Sequence, residues 1–427
     1  MQHILCVTLG TYCDRKLMDF AIHELAKKYK IVYLTDPSHK LPNDGRYIKV
    51  KYTVPEFFLN DPELVIANTR QNLYLWSLSH PAQAQQVYAW ARQMRAKLHR
   101  LQTKYDFKGI FIFYPAMLMV WMLKHIERVP VYVLYCAPGL VSRNVPWLYD
   151  SILRKRDYKL YAKANSKYNQ ASGLENLKRI GLMNLGITSS HTVLSSVTHV
   201  YCWDKAILPS IIPVFKDLDV HTVGSLLRPD ISRKDWPASP SIKQFISSKK
   251  EIIFVTFGSY GNTSFLKFIM PSLMNVLETY CKKHDAGVIY HNDLGKKIMY
   301  DGKQLKSSDT LFVNDGFVQY EYVVPRCKLV IFTGSVCLQN ICLYHATPML
   351  IIPILTEQFF WAKNYQHYTK VSYLDYKSPV PPNLDFKAAM NVSPYLKRIS
   401  KSLHDSHAAK SILDLFERRS LHGVTHG

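Results

Sequence analysis

Short apolar runs recur along the chain, and several lead into a glycine turn and then a stretch of helical period. His3–Thr8 is the first. It runs up to Gly10, and Arg15–Tyr29 then puts Leu17, Phe20, Ala21, Leu25 and Ala26 on one helical face. Ile31–Leu34 predicts the next strand, so the chain opens strand, turn, helix, strand. Leu73–Tyr105 has long helical character, interrupted near Pro81. Gly109–Phe113, Val129–Tyr135 and Thr198–Trp203 predict further strands, while Asp150–Arg179 is basic and weakly amphipathic. Arg228–Ser241 holds Pro229, Pro237 and Pro240 among charged residues and reads as a linker. Beyond it the pattern restarts with Ile252–Phe257 as strand, Gly258-Ser-Tyr-Gly261 as turn and Phe265–Lys282 as helix. Strands are predicted at Gly287–Tyr290, Thr310–Val313, Leu329–Phe332 and Met349–Ile352. Pro394–Arg419 predicts a terminal helix, with Ser393 as cap and Pro394 in its first turn.

Two successive α/β units follow from this order. The expected architecture is a pair of Rossmann-like, doubly wound domains facing a cleft, with ligands at the carboxyl ends of the strands. The expected boundaries are 1–227 for the first domain, 228–245 for the linker, 246–400 for the second domain and 401–427 for a terminal helix that packs back on the first.

Composition narrows the class. The 427 residues are 48% hydrophobic and 20% charged, which excludes a disordered chain, a coiled coil or a disulfide miniprotein. The net charge is +22, of which +14 falls in residues 1–200 and +8 in the rest. Such a surplus favours an anionic partner: nucleotide, nucleic acid or membrane surface. None of the eight cysteines forms CxxC and no His pair has zinc spacing, so the cysteines read as reduced core thiols in a cytoplasmic protein. Ile4–Leu9 is too short for a signal peptide. Gly109–Leu123, the longest apolar stretch, contains Pro115 and falls short of the roughly 20 residues that span a bilayer.

There is no Walker motif and no GxGxxG, and His23-Glu24 lacks the second His of HExxH. The informative stretch is Gly316–Asn364, GFVQYEYVVPRCKLVIFTGSVCLQNICLYHATPMLIIPILTEQFFWAKN. Leu329–Phe332 reads as a buried strand that stops at Thr333-Gly334-Ser335, with a helix starting at once. The unpaired N–H groups of that helix suit a diphosphate, and Gly334 allows close backbone approach. An ordinary strand–helix turn reads the same way. Glu357-Gln358, after Pro353, pairs a carboxylate with an amide that can grip adjacent sugar hydroxyls. It equally reads as the first turn of a helix capped by Thr356.

Together these residues resemble the donor signature of GT-B glycosyltransferases of the UDP-glycosyltransferase superfamily, in its sterol and macrolide/glycopeptide branch. The resemblance rests on Pro325-Arg-Cys327, Gly334-Ser335, Pro348, Pro353, Glu357-Gln358 and Ala362 at matching spacing. Weaker likeness lies at Phe257-Gly258-Ser259, Val223-Gly224, Gly10-Thr-Tyr-Cys-Asp14 and Pro138–Pro146. The resemblance implies that Phe317 stacks on the donor base and that backbone at Val318 reads it. Gly10, Ser259, Thr333, Gly334 and Ser335 would lie at the donor, the last two holding its diphosphate. Glu357 and Gln358 would bind the sugar, and Asp14 would deprotonate the acceptor hydroxyl. Asp14 also reads simply as the cap of Arg15–Tyr29, and Phe317 equally as a core-packing residue.

The expected activity is therefore an inverting transfer of a hexose from a nucleotide-sugar, UDP first, to a hydroxyl of a small or lipophilic acceptor. The resemblance implies no metal and no cofactor beyond the nucleotide-sugar co-substrate. Three departures stand against it. Thr333 occupies the place of the family's phosphate-binding His, Leu338 and Ile341 replace its Ser/Thr and Glu, and Gln319-Tyr320 replaces its Pro-Gln. The alternative is a degenerate GT-B protein that binds a ligand or an anionic partner without catalysis. The basic stretch Leu153–Arg179, with Tyr158, Tyr161 and Tyr168, reads as a solvated helix face or as a peripheral contact with an anionic membrane, ahead of nucleic acid.

Overall fold

In a computed structural model of the chain, the apolar runs become strands and the helical-period segments become crossovers between them. The structure describes residues 2–8, 12–37, 39–52, 81–113, 129–136, 195–208, 217–226, 238–258, 266–291, 299–300, 303–314, 316, 318–353, 358, 361–362, 364–365, 372–373, 389–390 and 394–421. The basic stretch 153–179 and the segment Pro138–Pro146 lie outside these residues. Two compact units divide the chain. Unit 1 is Met1–Lys205, Pro209–Leu226 and His407–Gly427; unit 2 is Ala206–Leu208 and Leu227–Ser406.

Unit 1 runs β1 (His3–Val7), α1 (Tyr12–Ile22), α2 (Leu25–Lys28), β2 (Lys30–Thr35), β3 (Tyr47–Lys51), α3 (Pro81–Lys104), β4 (Phe107–Phe113), β5 (Val131–Tyr135), β6 (Thr198–Tyr201) and β7 (Asp219–Thr222). The strands pair in parallel in the order β3-β2-β1-β4-β5-β6-β7. Ile4–Val7 and Ile110–Phe113 are wholly buried. A strand covered on both faces needs an unbroken apolar run, and these have one. The edge strands β3 and β7 are half-buried and carry Lys49, Lys51, Asp219 and His221, so no apolar run announces them. The helix expected over Arg15–Tyr29 is two helices, starting at Tyr12 and interrupted at His23-Glu24.

The first helix of unit 2 is α4 (Pro240–Ser247), which begins within the stretch expected as linker. Its cap is Ser239, whose Oγ accepts from the Ile242 N–H at 3.2 Å. There follow β8 (Glu251–Thr256), α5 (Leu266–His284), β9 (Ala286–His291), the two-residue strands β10 (Met299–Tyr300) and β11 (Lys303–Gln304), and β12 (Leu311–Asn314). Next come α6 (Tyr320–Val323), a 3-10 turn at Val324–Arg326, β13 (Leu329–Phe332), α7 (Val336–Tyr344), β14 (Met349–Ile351), β15 (Ser372–Tyr373) and α8 (Pro394–His404). The second sheet is parallel, in the order β12-β9-β8-β13-β14-β15. One face packs Val255, Phe257, Leu273, Leu277 and Ile331 into a single core. On α8, Leu396, Ile399 and Leu403 are buried, Ser400 Oγ donates to the Tyr344 carbonyl at 2.6 Å, and His404 stacks on the Tyr344 ring.

The single terminal helix expected over Pro394–Arg419 is α8 and α9 (Ala408–Leu421), separated where the chain passes from unit 2 to unit 1. As part of unit 1, α9 covers the first sheet. Phe416 is wholly buried, with ring centroids 5.3 Å from Tyr29, 5.8 Å from Phe111 and 5.7 Å from Tyr132. It lies against the bare backbone of Gly109. Arg419 pairs with Asp219 and donates to Thr198 Oγ1 at 2.8 Å, and Lys28 pairs with Glu417 at 2.7 Å.

Burial alone would raise the Asp219 carboxyl, but the hydrogen bonds to His221 and Thr198 and the charge of Arg419 outweigh it and hold the group below its ordinary range. A depressed carboxylate contributes stability above its unfolded pKa and loses it as pH falls through its folded value. Arg419→Met is therefore expected to cost about 1 kcal/mol at neutral pH, the upper end for a half-exposed pair. Urea titrations should show that difference closing as the pH drops below the carboxylate range.

Among the described residues, no helix is long and apolar enough to cross a membrane. Cys6, Cys136, Cys202, Cys281, Cys327 and Cys342 are free thiols, while Cys337 is disulfide-bonded. That corrects the reading of all eight as reduced. Sequence spacing reveals only motifs such as CxxC, and Cys337 belongs to none.

Candidate functional site

In unit 2 the strand order reverses between β8 and β13. A parallel sheet leaves a crevice at such a point, outside the carboxyl ends of the two strands. The register pairs Thr256 with Phe332, so the turns that follow β8 and β13 lie side by side. Each turn carries a glycine at positive φ: Gly258 at 54° and Gly334 at 95°. The Gly258 N–H donates to Thr256 Oγ1 at 3.2 Å, which closes the first turn.

The second turn is tightly enclosed. A Cβ on Gly334 would lie 2.9 Å from Ile351 Cγ2, 3.2 Å from Gln339 Nε2 and 3.4 Å from Gln358 Cβ. Gln339 is fully buried. Its amide nitrogen donates to the Gly334 carbonyl and its oxygen accepts from the Tyr365 hydroxyl at 2.8 Å. Tyr365 stacks on Trp361, 5.7 Å between centroids. Gln339 thus ties the glycine turn to the helical residues around Gln358, which is itself buried. Ser335 sits at the N-cap of α7 without using its side chain to cap the helix, and no acidic residue occupies the first turn. The head of α7 keeps its N–H groups and the positive end of its dipole for another acceptor.

A second cluster lies at the ends of β9 and β12. His291 is buried against Phe254 and Tyr320, with centroids 6.2 and 6.1 Å away. Its Nδ1 lies 3.1 Å from Asn314 Nδ2, which donates to the Gly316 carbonyl at 2.8 Å. These bonds fix the backbone that leads to Val318, which is also buried.

The structure therefore brings Gly334, Ser335 and Gln358 together around one turn, with Thr333 buried beside them at the end of β13. Asp14 lies in the first turn of α1, just past the carboxyl end of β1, where unit 1 has its own reversal between β1 and β4. It sits inside the helix and does not precede it, which corrects the reading of Asp14 as a cap. Gly10, Ser259, Phe317 and Glu357 lie outside the described residues. Leu338 and Ile341 are buried on α7 at 1% and 0% exposure, so these positions serve packing. Sequence reasoning missed Gln339, Tyr365, His291 and Asn314. Polar residues inside apolar runs were the available signal: a buried polar side chain must be satisfied, and here each one holds backbone or a neighbour. Among the described residues, no group of three His, Cys, Asp or Glu side chains is placed to hold a metal ion.

The sequence matches no protein-family model and no curated protein. Solved structures do share its fold. The glycosyltransferase of kitacinnamycin superposes over 98% of both chains at 14% identity, with a TM-score of 0.64. The glycosyltransferase VinC, in complex with dTDP, matches over 99% of this chain and 100% of its own at 13% identity and a TM-score of 0.63. Phytolacca americana UGT2, complexed with UDP-2-fluoro-glucose and pterostilbene, matches over 98% of this chain and 99% of its own at 10% identity and a TM-score of 0.63. The fold is GT-B.

Proposed function

We propose that this protein is a nucleotide-sugar-dependent glycosyltransferase. The observation that carries the reading is the cradle in unit 2: two positive-φ glycines flank the reversal point, and the head of α7 is left without a side-chain cap. Similar folds hold dTDP and UDP-2-fluoro-glucose in their crystals, which supports a nucleoside diphosphate there.

In the proposed reaction the acceptor hydroxyl attacks the anomeric carbon as the bond to the diphosphate breaks. Asp14 takes the hydroxyl proton, and the sugar changes anomeric configuration. The nucleoside diphosphate leaves as an anion, stabilised by N–H groups at the head of α7 in place of a metal. Ser335 and Gly334 hold the diphosphate, while Gln358 and Glu357 hold the hexose. Thr333 offers one hydroxyl to the phosphate. A missing buried polar partner costs about 1–3 kcal/mol, so donor affinity is expected to be modest.

A thermal-shift panel of UDP, dTDP, GDP and their hexose conjugates, read beside release of free nucleotide, tests this. One nucleotide should raise the midpoint, and its sugar conjugate should release nucleotide slowly in water and faster with hydroxyl acceptors. Asp14→Asn should keep the midpoint shift and lose at least about 100-fold in transfer. No shift with any nucleotide at millimolar concentration sinks the reading. A shift without turnover would mark a binding protein, consistent with Leu338 and Ile341 being core residues.

A further inference from the structure

Unit 1 alone forms a cavity of about 510 Å³ between the end of β3 and the flank of α3. It lies by the outer edge of the first sheet, away from the β1–β4 reversal. One part of its lining is apolar and largely buried: Tyr52 at 6% exposure, Trp90 at 9% and Met94 at 3%. Lys51, Lys97 and Arg100 also line it, and among the described residues no carboxylate does. Lys97 Nζ donates to the Lys51 carbonyl, and Arg100 Nε donates to the Ala96 carbonyl at 3.3 Å, so backbone bonds orient two of the cations. Burial, and then the charge of Arg100, lower the pKa of the Lys97 ammonium. Clustered cations beside a buried aromatic wall are repulsive until an anion joins them, and aromatic faces add stacking for a flat ligand. The volume falls in the range of small-molecule sites.

We propose that this cavity binds a small aromatic anion, a flat apolar body bearing a carboxylate or phosphate. The rings would contact Trp90, Tyr52 and Met94, and the charge would meet Lys51, Lys97 and Arg100. Fluorescence titration of the full chain with naphthoate, naphthyl phosphate and uncharged naphthol tests it. Both anions should bind at least tenfold tighter than naphthol, and the tighter of the two identifies the head group. Their affinity should fall as salt rises. Lys51→Gln with Arg100→Gln, both at exposed positions, should weaken the anions tenfold or more, leave naphthol unchanged and keep the melting midpoint. Trp90→Leu should weaken all three probes. The proposal is overturned by equal affinity for naphthol and the anions, by anion binding indifferent to the double variant, or by no binding of any probe. A failure of nucleotide binding in unit 2 would leave these titrations unchanged.

Discussion

Phe416→Ala is expected to remove about 3–5 kcal/mol of stability, the cost of deleting a fully buried aromatic side chain. Against a total of about 5–15 kcal/mol for an ordinary domain, that loss brings unit 1 close to unfolding. The ring is an apolar contact between α9 and the sheet, touching Tyr29, Phe111 and Tyr132 at once, beside the polar contacts of Arg419. Gly109 is the reciprocal of that contact. A Cβ there would stand 2.5 Å from Phe416 Cε2, so Gly109→Ala should also destabilise, by about 1–3 kcal/mol through overpacking. The two changes share one space, so they cannot be independent. In the Phe416→Ala background, Gly109→Ala should become nearly harmless. Urea denaturation of the two single variants and the double variant gives the coupling. Strict additivity would mean that α9 does not rest on Gly109.

Gly334→Ala should damage both stability and ligand binding. The backbone there has φ of 95°, a conformation that L side chains rarely adopt. The new methyl would also meet Ile351 at 2.9 Å and Gln339 at 3.2 Å, both fully buried and unable to withdraw. Strain and overpacking together predict a loss of about 2–4 kcal/mol. The turn can relieve the strain only by moving, and the N–H groups at the head of α7 move with it. The variant should therefore lose the nucleotide-induced midpoint shift even where it remains folded. Gly316→Ala is the control for stability, since no described residue lies within 4 Å of a Cβ there. A full nucleotide shift in Gly334→Ala would remove the α7 turn from the binding site.

The α/β alternation was legible because central strands buried on both faces must be continuous apolar runs. Leu329–Phe332 was read to the residue for that reason. Gly334 was legible too, as a glycine between a buried strand and a helix. Edge strands were not: Tyr47–Lys51 alternates lysine with apolar residues, which matches loop composition equally well. The terminal helix showed its apolar face but not the break after His404, because Leu403 and Ile412 are equally buried on either side of it. The cradle was legible through its glycine, serine and glutamine. Gln339 was not, since its role depends on Tyr365 arriving from 26 residues away. Asn314 and His291 were hidden in the same way, being joined only once β9 and β12 pair.

The return of α9 to the first sheet also sets a timetable for synthesis. Lys28 and its partner Glu417 are 389 positions apart. At about 5–20 residues per second, a ribosome needs roughly 20–80 s to travel that distance. For the part of that interval after Tyr132 is made, the first sheet has no Phe416 to cover Phe111 and Tyr132, whereas the strands and helices of unit 2 emerge in one nearly unbroken run. Unit 1 is thus begun first and finished last. Its aromatic face stays open to chaperones, or to other nascent chains, until α9 leaves the exit tunnel.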